Sequence, residues 1–580
     1  MLNFKKNRNP KIGLVAIMFL SLITAIAQNT GTANIAQFDY FKYEGKDAWF
    51  DKKIDKTSQY RNPIMAGFYP DPSICRKGDT YYMVNSTFGY FPGVPIFTSK
   101  DLVNWTQIGH VLDRPSQFNF TGKDMYKGIY APAIEYNQYN DTFYMITTNN
   151  FGSGNFFVKT KDPLKGWSEP IKLPEVKHID PSFFFDDDGK AYIVHNSAPE
   201  TKRTYVGEHS VRIHEFDVKN DCTIGKTKEI IRSGAFPDDK PIWIEGPHLY
   251  KMNGYYYVMA AEGGTGDNHS EVIFRSKNPW GPYEAAPYNP ILSQRNLPTE
   301  RENKVTSTGH ADLIQTAEGD WWAVFLGVRP YKNEHVFNTG RETFLLPVEW
   351  ENGFPIIIRK QVPIPTVVNK KNLQPIENFN TGNFIDNQKF DNTKLDFSWI
   401  FIRTPEQTFH SIEKGKLKIK PLPISIEAQK SPAAVVRRQQ HTNFSVETQV
   451  EFIPETDNDF AGLTLFQNEK HQFLFGKTIV DNKTVLAIYR IEKEKKCIAS
   501  MELKGKEVKK GIKLKVDGKG GTCDFYYSYD GKKWIALAQN IDATNLSTEI
   551  GGGFQGVTIG MYATSDHLNK LSVNVATSKK

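Results

Sequence analysis

A strand-forming pair of residues after a turn signal recurs five times along this chain, and a distinctive tripeptide lies shortly before each copy. The repeats are spaced by roughly 50 to 65 residues, which is the length of a four-stranded propeller blade. The sequence therefore predicts five blades that close radially. The pairs are Tyr81-Tyr82, Phe143-Tyr144, Ala191-Tyr192, Tyr256-Tyr257 and Trp321-Trp322, and the tripeptides are Asp71-Pro72-Ser73, Ala131-Pro132-Ala133, Asp180-Pro181-Ser182, Glu245-Gly246-Pro247 and His310-Ala311-Asp312.

Three of these tripeptides carry a carboxylate. By the repeat alignment, Asp71, Asp180 and Glu245 hold the same place in three different blades. Equivalent positions converge on the axis of a radial array, so the three acids are predicted to meet in one pocket. A single Asp-Pro is usually a turn or a paired surface acid, but three acids in one register favour a functional site.

The first 27 residues have the pattern of a secretory signal. Four basic residues (Lys5, Lys6, Arg8 and Lys11) precede an apolar stretch over 12–27, which ends in the cleavage-site pattern Ala25-Ile26-Ala27. The sequence thus predicts an exported protein of the periplasm or the extracellular space, with an uncleaved anchor as the alternative. Loss of the segment removes four basic residues and no acidic ones, so the formal charge falls from +7 to +3.

The composition excludes several classes of protein. A nearly balanced, scattered charge gives no indication of nucleic-acid binding or of membrane association once the signal is removed. The four cysteines are too few and too dispersed for a disulfide framework, and none has the spacing of a zinc site. The predicted partner is an oligosaccharide or polysaccharide, and the oligomeric state is left open.

The patterning divides the chain into an all-β protein with two main domains. An irregular N-terminal extension is predicted over 28–58, followed by a five-bladed β-propeller over 59–353. A proline-punctuated linker over 354–375 follows. From 376 to 580, short strands with period-two alternation and Asp-Gly turns predict a concanavalin-like β-sandwich.

The carboxylates suggest a particular chemistry. Glu245 follows Ile242-Trp243-Ile244, and such apolar surroundings raise the pKa of a carboxyl towards that of a usable acid. Two carboxyls with separated pKa values among aromatic side chains are the usual equipment for cleaving a glycosidic bond. The sequence therefore predicts a sugar-processing pocket.

Several motifs of the chain closely resemble those of glycoside hydrolase family 43, in particular its β-xylosidase branch with a C-terminal β-sandwich. The resemblance covers nearly all of the chain after the signal. It is carried by GFYPDPSI at 67–74, STFGYFPGVPI at 86–96, IEGPHLYK at 244–251, AEGGTG at 261–266, TGHADL at 308–313 and GRETFLLPVEW at 340–350.

The resemblance implies a five-bladed propeller and hydrolysis with inversion of the anomeric configuration. Carried over by motif, Asp71 is the general base, Glu245 the general acid, and Asp180 the group that orients the acid and raises its pKa. An inverting enzyme holds its base and acid about 6.5–9.5 Å apart, which leaves room for a water molecule.

Five further residues are implied to bind substrate. Arg341 matches an arginine that contacts the innermost sugar, and Phe88 matches an aromatic that borders that subsite. His310 matches the axial histidine, which in some relatives orients water around a cation. No cofactor is predicted as required, and a calcium ion near His310 is left open. Tyr130 replaces the tryptophan of the xylosidase branch, and Phe554, in the segment 551–563, matches a pocket-closing phenylalanine of the sandwich.

The resemblance implies an exo-acting glycosidase of plant hemicellulose, first a β-1,4-xylosidase acting on xylo-oligosaccharides. The alternative is an α-L-arabinofuranosidase, because the two sugars present similar hydroxyls and Tyr130 alters the pocket wall. A non-catalytic sugar-binding protein is the alternative from a different class, although it would be expected to lack a catalytic acid, and all three acids are present.

Overall fold

The structure is a computed structural model that describes residues 34–331, 336–377 and 379–566. The predicted signal peptide over 1–27 lies outside these residues. Within the described ranges, no helix is long and apolar enough to cross a lipid bilayer. Nearly all the regular structure is β-strand, which confirms the predicted fold class.

The first part of the chain supplies strands β1 to β26. Their bounds are β1 (Ala36–Gly45), β2 (Gln59–Arg61), β3 (Ser73–Lys77), β4 (Thr80–Val84), β5 (Tyr90–Phe91), β6 (Gly93–Ser99), β7 (Thr106–Leu112), β8 (Ile129–Asn137), β9 (Thr142–Asn149), β10 (Gly154–Thr160), β11 (Ile171–Lys172), β12 (Ser182–Phe185), β13 (Ala191–Ser197), β14 (Ser210–Asp217), β15 (Cys222–Arg232), β16 (Glu245–Met252), β17 (Tyr255–Glu262), β18 (Ser270–Ser276), β19 (Glu284–Ala285), β20 (Leu292–Ser293), β21 (Thr306–Gln315), β22 (Trp321–Val328), β23 (Glu342–Pro347), β24 (Glu349–Glu351), β25 (Phe354–Ile356) and β26 (Val367–Asn369).

The second part supplies the remaining strands and two short α-helices. These are β27 (Ile385–Gln388), β28 (Ile400–Ile402), β29 (His410–Glu413), β30 (Lys416–Ile419), β31 (Ala434–Arg438), β32 (Asn443–Glu451), β33 (Phe460–Asn468), β34 (His471–Val480), β35 (Lys483–Glu492), β36 (Glu494–Glu502), α1 (Lys506–Lys509), β37 (Ile512–Lys519), β38 (Thr522–Ser528), β39 (Ile535–Asp542), α2 (Thr548–Gly551) and β40 (Thr558–Thr564). Single 3₁₀ turns occur at Ala48–Phe50, Pro163–Lys165, Pro237–Asp239 and Thr544–Leu546.

The predicted repeats form five blades, each an antiparallel sheet that begins at its innermost strand. Their strand orders are β3-β4-β6-β7, β8-β9-β10-β11, β12-β13-β14-β15, β16-β17-β18-β19 with β20 also on β18, and β21-β22-β23. This arrangement confirms the five-bladed propeller.

The fifth blade is completed by the segment that precedes the first. Met65 and Thr343 exchange two backbone hydrogen bonds, of 3.2 and 3.1 Å. The Asn62 side chain accepts from the Leu345 N–H and donates to the Leu345 carbonyl. Residues before blade one thus cover the outer edge of blade five, which closes the ring and protects an exposed sheet edge.

Each tripeptide turns the chain at the axis through one residue in the left-handed conformation. That residue is Asp71, Ala131, Asp180, Gly246 or His310, with φ between 34° and 57°. In blade four it is Gly246, so Glu245 lies one position earlier than Asp71 and Asp180. The prediction that the three acids share one register is therefore wrong by one residue for Glu245, because Gly246-Pro247, and not Glu245-Gly246, is equivalent to Asp71-Pro72.

The second domain is a sandwich of two large antiparallel sheets, which confirms the concanavalin-like prediction. One sheet has the order β29-β30-β1-β32-β37-β38-β39 with β27 on β1, and the other β36-β35-β34-β33-β40-β31-β28-β5. Apolar side chains of both sheets fill the space between them. The predicted linker over 354–375 carries β25 and β26, which pair with β24 and β2.

The N-terminal segment corrects the predicted irregular extension over 28–58. Residues 36–45 form β1, an interior strand of the sandwich that pairs with β30 and β32. Phe38, Phe41 and Tyr43 of this strand are fully buried in the sandwich core. Its register with β32 shifts between Phe38 and Phe41, which interrupts the simple alternation by which strands are predicted.

The two domains share a core. One apolar cluster joins Phe88, Tyr90 and Phe120 of the propeller to Ile402 and Tyr562 of the sandwich. The pairing of β5 with β28 extends a sandwich sheet directly into the propeller. The sandwich face against the propeller is thus covered by protein, so the propeller buries apolar surface that it would expose alone.

Replacement of Phe41 by alanine tests the role of β1. Phe41 is fully buried and packs edge-on against Trp399, with ring centroids 5.0 Å apart. We expect F41A to lower the free energy of unfolding by about 3–5 kcal/mol, the usual cost of truncating a buried aromatic side chain. Urea denaturation measures this. The control is K42A on the same strand, for which we expect a change within about 0.5 kcal/mol; equal effects of the two changes would contradict the buried position of β1.

Candidate active site

The five strand starts converge on a narrow channel along the propeller axis. Asp71, Asp180 and His310 line it together with the prolines and small residues of the other tripeptides. The three carboxylates are nearly buried, with exposed fractions of 5% for Asp71, 6% for Asp180 and 9% for Glu245. Buried acids require partners, so their contacts decide what the site can do.

Asp71 is held as an anion. Its Oδ2 accepts a 2.6 Å hydrogen bond from the Ser86 hydroxyl, and its Oδ1 lies 3.2 Å from Arg341 Nη1. Burial by itself would raise the pKa of Asp71, but the charges of Arg341 and His310 and the Ser86 hydrogen bond outweigh it and lower this pKa. Asp71 is therefore suited to accept a proton.

Glu245 is held in the opposite state. Burial, followed by repulsion from Asp180 and Asp71, raises the pKa of Glu245 to about 8, although the charges of His310 and Arg341 oppose this rise. The carboxyl therefore carries its proton at neutral pH and is suited to donate it. The two acids at this end of the channel thus differ in charge, as the predicted acid–base pair requires.

Asp180 and His310 form a second charged pair. Asp180 Oδ2 accepts a hydrogen bond from the Gly246 N–H at 3.2 Å and lies 3.7 Å from His310 Nε2. Burial opposes the charge on His310, but Asp180, Asp71 and Glu245 together raise its pKa to about 9. A Cβ at position 246 would lie 2.7 Å from the His310 ring, so this close approach requires glycine there.

The site does not fit a calcium ion bound directly by His310. Calcium takes oxygen ligands rather than imidazole nitrogens, and His310 Nε2 lies 3.7 Å from Asp180 Oδ2 as an ion-pair partner. In the described part of the chain, no group of three or more His, Cys, Asp or Glu side chains is arranged to hold a metal ion.

An aromatic wall borders the carboxylates. Phe88 stacks on Phe554, with centroids 5.8 Å apart, and Tyr130 meets both rings edge-on. The Arg341 guanidinium lies over Phe88 and Phe554, at 5.9 and 5.4 Å from their centroids. The structure thus brings together all the residues predicted to bind substrate except His310, which lies beside Asp180 on the axis.

Phe554 reaches this wall from the sandwich through the loop between α2 and β40. The loop is tied to the propeller by hydrogen bonds from Thr548 N to Phe337 O and from Val557 N to Asn338 O, of 3.0 and 2.9 Å. From the sandwich side, the Gln467 amide donates to Gly552 O. Contacts on both sides therefore position Phe554.

A cavity of about 330 Å³ opens outside Arg341 and Phe554. Both domains line it, with Thr265, Asp267 and Ser307 from the propeller and Thr548 and Glu549 from the sandwich. A larger cavity of about 550 Å³ lies elsewhere, between the segments 50–61 and 373–385, and contains none of the predicted site residues. The smaller cavity is the one lined by Arg341, which contacts Asp71.

Two site residues were missed in the sequence. Ser86, which opens the STFGYFPGVPI motif, donates to Asp71 and accepts from the Ala131 N–H, so it joins blades one and two. His269 lies three residues after the AEGGTG motif and is buried near Asp71 and Arg341, whose charges affect its pKa. Their places beside matched motifs are the signals that could have identified them.

Comparisons with known proteins identify the family of both domains. The sequence model described as "Glycosyl hydrolases family 43" matches residues 60–355, and "Beta xylosidase C-terminal Concanavalin A-like domain" matches 387–575. The chain belongs to glycosyl hydrolase family 43. It is a glycoside hydrolase with the C-terminal domain typical of the β-xylosidase branch.

Similar proteins match over most of their length. A "Xylosidase/arabinosidase" of Butyrivibrio fibrisolvens is 38% identical over 87% of this chain and 96% of the relative. A "Non-reducing end alpha-L-arabinofuranosidase" of Bacteroides ovatus is 36% identical over 87% of this chain and 92% of that protein. A family 43 crystal structure from a capybara gut metagenome is 42% identical, with a TM-score of 0.85 over 92% of this chain and 100% of the other.

Replacement of Arg341 by methionine tests the charge balance around Asp71. Burial raises the pKa of Asp71, and the charge of Arg341 lowers it. Without Arg341 we therefore expect the pKa of Asp71 to rise. A ¹³C NMR titration of the aspartate carboxyls, assigned with D71N, measures this pKa. The control is K251M, which removes a cation that pairs with Asp186 and Asp187 and should leave Asp71 unchanged. An unchanged Asp71 pKa in R341M would show that Arg341 does not stabilise the anion.

Proposed function

We propose that the protein is an inverting exo-glycosidase that releases terminal pentose units from hemicellulose. The observation that carries this proposal is the pair of buried carboxyls with opposite pKa shifts, Asp71 lowered and Glu245 raised, beside an aromatic wall that includes Phe554 of the sandwich. A wall contributed by the second domain favours the end of a sugar chain over its interior. Export through the segment 1–27 remains part of the proposal.

Asp71 and Glu245 have different roles in the hydrolysis. Ionised Asp71 takes a proton from a water molecule as the oxygen of that water attacks the anomeric carbon. Protonated Glu245 donates its proton to the glycosidic oxygen as the bond to the leaving sugar breaks. Asp71 then holds a proton and Glu245 a negative charge, and exchange with solvent restores both. Arg341 carries donors suited to sugar hydroxyls.

Asp180 acts through Glu245. It lies beside Glu245, bound to the N–H of the next residue, Gly246, and its negative charge is the largest electrostatic contribution to the raised pKa of Glu245. Because an ordinary glutamate is ionised at neutral pH, burial and this repulsion together keep the acid protonated where the enzyme works.

For the sugar, we propose β-1,4-linked xylose of xylo-oligosaccharides first and α-L-arabinofuranose second. The xylosidase assignment is supported by the C-terminal domain model and by the relative named for both activities. The second candidate is supported by the relative named as an α-L-arabinofuranosidase and by Tyr130 in the pocket wall. The two sugars present similar hydroxyls, so one pocket can serve both.

Initial rates on p-nitrophenyl β-D-xylopyranoside and p-nitrophenyl α-L-arabinofuranoside test the proposal. We expect faster turnover of the xyloside, with α-xylose as the first product seen by ¹H NMR, because inversion reverses the anomeric configuration. E245Q should lose at least about 100-fold in kcat on xylobiose, whose leaving group needs a proton, while still binding xylose. A first-formed β-anomer, or full activity in E245Q, would contradict the mechanism.

Replacement of Asp180 by asparagine separates its electrostatic role from a structural one. We expect kcat/KM to fall on the alkaline side as pH rises through the pKa of Glu245, about 8 in the free enzyme. D180N removes the repulsion, so the pKa of Glu245 should fall and the alkaline limb should move to lower pH. A pH series on xylobiose measures this. An alkaline limb unmoved in D180N would show that Asp180 does not set the acidity of Glu245.

A further inference from the structure

His269 is a buried histidine whose two ring nitrogens have different environments. It lies directly before β18 in blade four and is 1% exposed. Its Nδ1 lies 2.9 Å from the Ser307 carbonyl oxygen. A carbonyl only accepts hydrogen bonds, so Nδ1 carries the ring proton and Nε2 carries a lone pair. Among the described residues, Nε2 has no hydrogen-bond partner.

The ring is fixed in this orientation and is uncharged. A Cβ at position 309 would lie 2.7 Å from His269 Cε1, so Gly309 allows the ring to lie flat against β21. Burial, with repulsion from His310 and Arg341, lowers the pKa of His269 to about 4. At neutral pH the imidazole is therefore a rigid hydrogen-bond acceptor in need of a donor.

Arg341 has an unpaired hydrogen-bond donor, whereas His269 has an unpaired acceptor. Its two Nη atoms face Asp71, whereas its buried Nε–H has no acceptor among the described residues. His269 is hydrogen-bonded to Ser307, and Ser307 lines the 330 Å³ cavity together with Arg341. The charges of Arg341 and Asp71 also act on the His269 ring. A sugar hydroxyl accepts one hydrogen bond and donates another, so sugar hydroxyls can satisfy both groups.

We propose that His269 is a substrate-binding residue whose Nε2 accepts a hydrogen bond from one hydroxyl of the terminal pentose, beside the hydroxyl contacts of Arg341. The inference rests on the proposed function, because it takes the bound sugar to be a pentose. Blade four then contributes two residues to the site, the acid Glu245 and the sugar-binding His269. An unpaired buried acceptor rejects a sugar that lacks the matching hydroxyl, so His269 also contributes to specificity.

Two substitutions distinguish the acceptor role of His269 Nε2 from the hydrogen bond that Nδ1 makes to Ser307. In H269N the amide nitrogen takes the place of Nδ1 and keeps the bond to Ser307, while the acceptor at Nε2 is lost. In H269Q the longer amide places an acceptor near the position of Nε2. Rates are measured for p-nitrophenyl β-D-xylopyranoside and for its 2-deoxy, 3-deoxy and 4-deoxy analogues. The control is H110Q, at a buried histidine in the outer strand of blade one.

We expect H269N to lower kcat/KM on the parent xyloside by about 10- to 100-fold, the effect of leaving a buried hydrogen bond unmade. For one deoxy analogue the ratio of wild type to H269N should fall to near one, because the hydroxyl that His269 binds is already missing. The other two analogues should keep the full ratio. H269Q should recover part of the loss, and H110Q should keep the wild-type ratios among the four substrates.

Three results would count against the inference or its basis. An equal loss of H269N on all four substrates would assign His269 a structural role and overturn the inference. Wild-type protein inactive on both the xyloside and the arabinofuranoside would instead overturn the proposed function. Should H269N fail to fold, ¹⁵N-histidine NMR of wild type replaces it: added xylose should shift the unprotonated nitrogen of one neutral histidine, and no shift would overturn the inference.

Discussion

The left-handed turn at the start of every innermost strand is the constraint on which the active site depends. Each blade reaches the axis through one residue with positive φ, and in four of the five that residue is not glycine. Such a backbone costs about 1 kcal/mol or more at a non-glycine residue, so surrounding contacts must hold it in place. Hydrogen bonds between blades do so. Ser73 donates to Asp312 and accepts from Ile134, and Ser182 donates to the Pro247 carbonyl.

The convergence of the five strands brings several charged side chains close together, and their positive and negative charges balance. Asp71 and Asp180 are negative, Arg341 and His310 are positive, and Glu245 is kept neutral by a pKa of about 8. Two anions, two cations and one protonated acid give no net charge in a buried space, where an unpaired ion would be costly. The same arrangement suits the proposed reaction. Glu245, which stays protonated beside Asp180, is the acid that must donate a proton.

The sequence predicted much of this, and its failures have physical causes. Strand pairs and turn signals identified five blades because alternation and turn chemistry are local properties. The one-residue offset of Glu245 was missed because Glu245-Gly246-Pro247 resembles the other tripeptides in spacing, while the backbone aligns Gly246 with Asp71. Strand β1 was missed because its pairing with β32 carries a register shift and its neighbours lie nearly 400 residues away. His269 was missed because only tertiary structure shows that its Nε2 is buried without a hydrogen-bond partner among the described residues.

The sandwich domain belongs to the active site rather than accompanying it. Its sheet continues into the propeller through β5, which begins two residues after Phe88, and Phe554 stacks on the Phe88 ring. Arg403, at the end of β28, donates from its backbone to Gly89 O and from its side chain to Lys123 O, so it holds both segments that lead to the aromatic wall. The wall of the pocket is therefore complete only when both domains are in place. Because the aromatic wall is held from the sandwich and the carboxylates from the propeller, changes in the sandwich can alter which sugar is accepted without altering the acid and base.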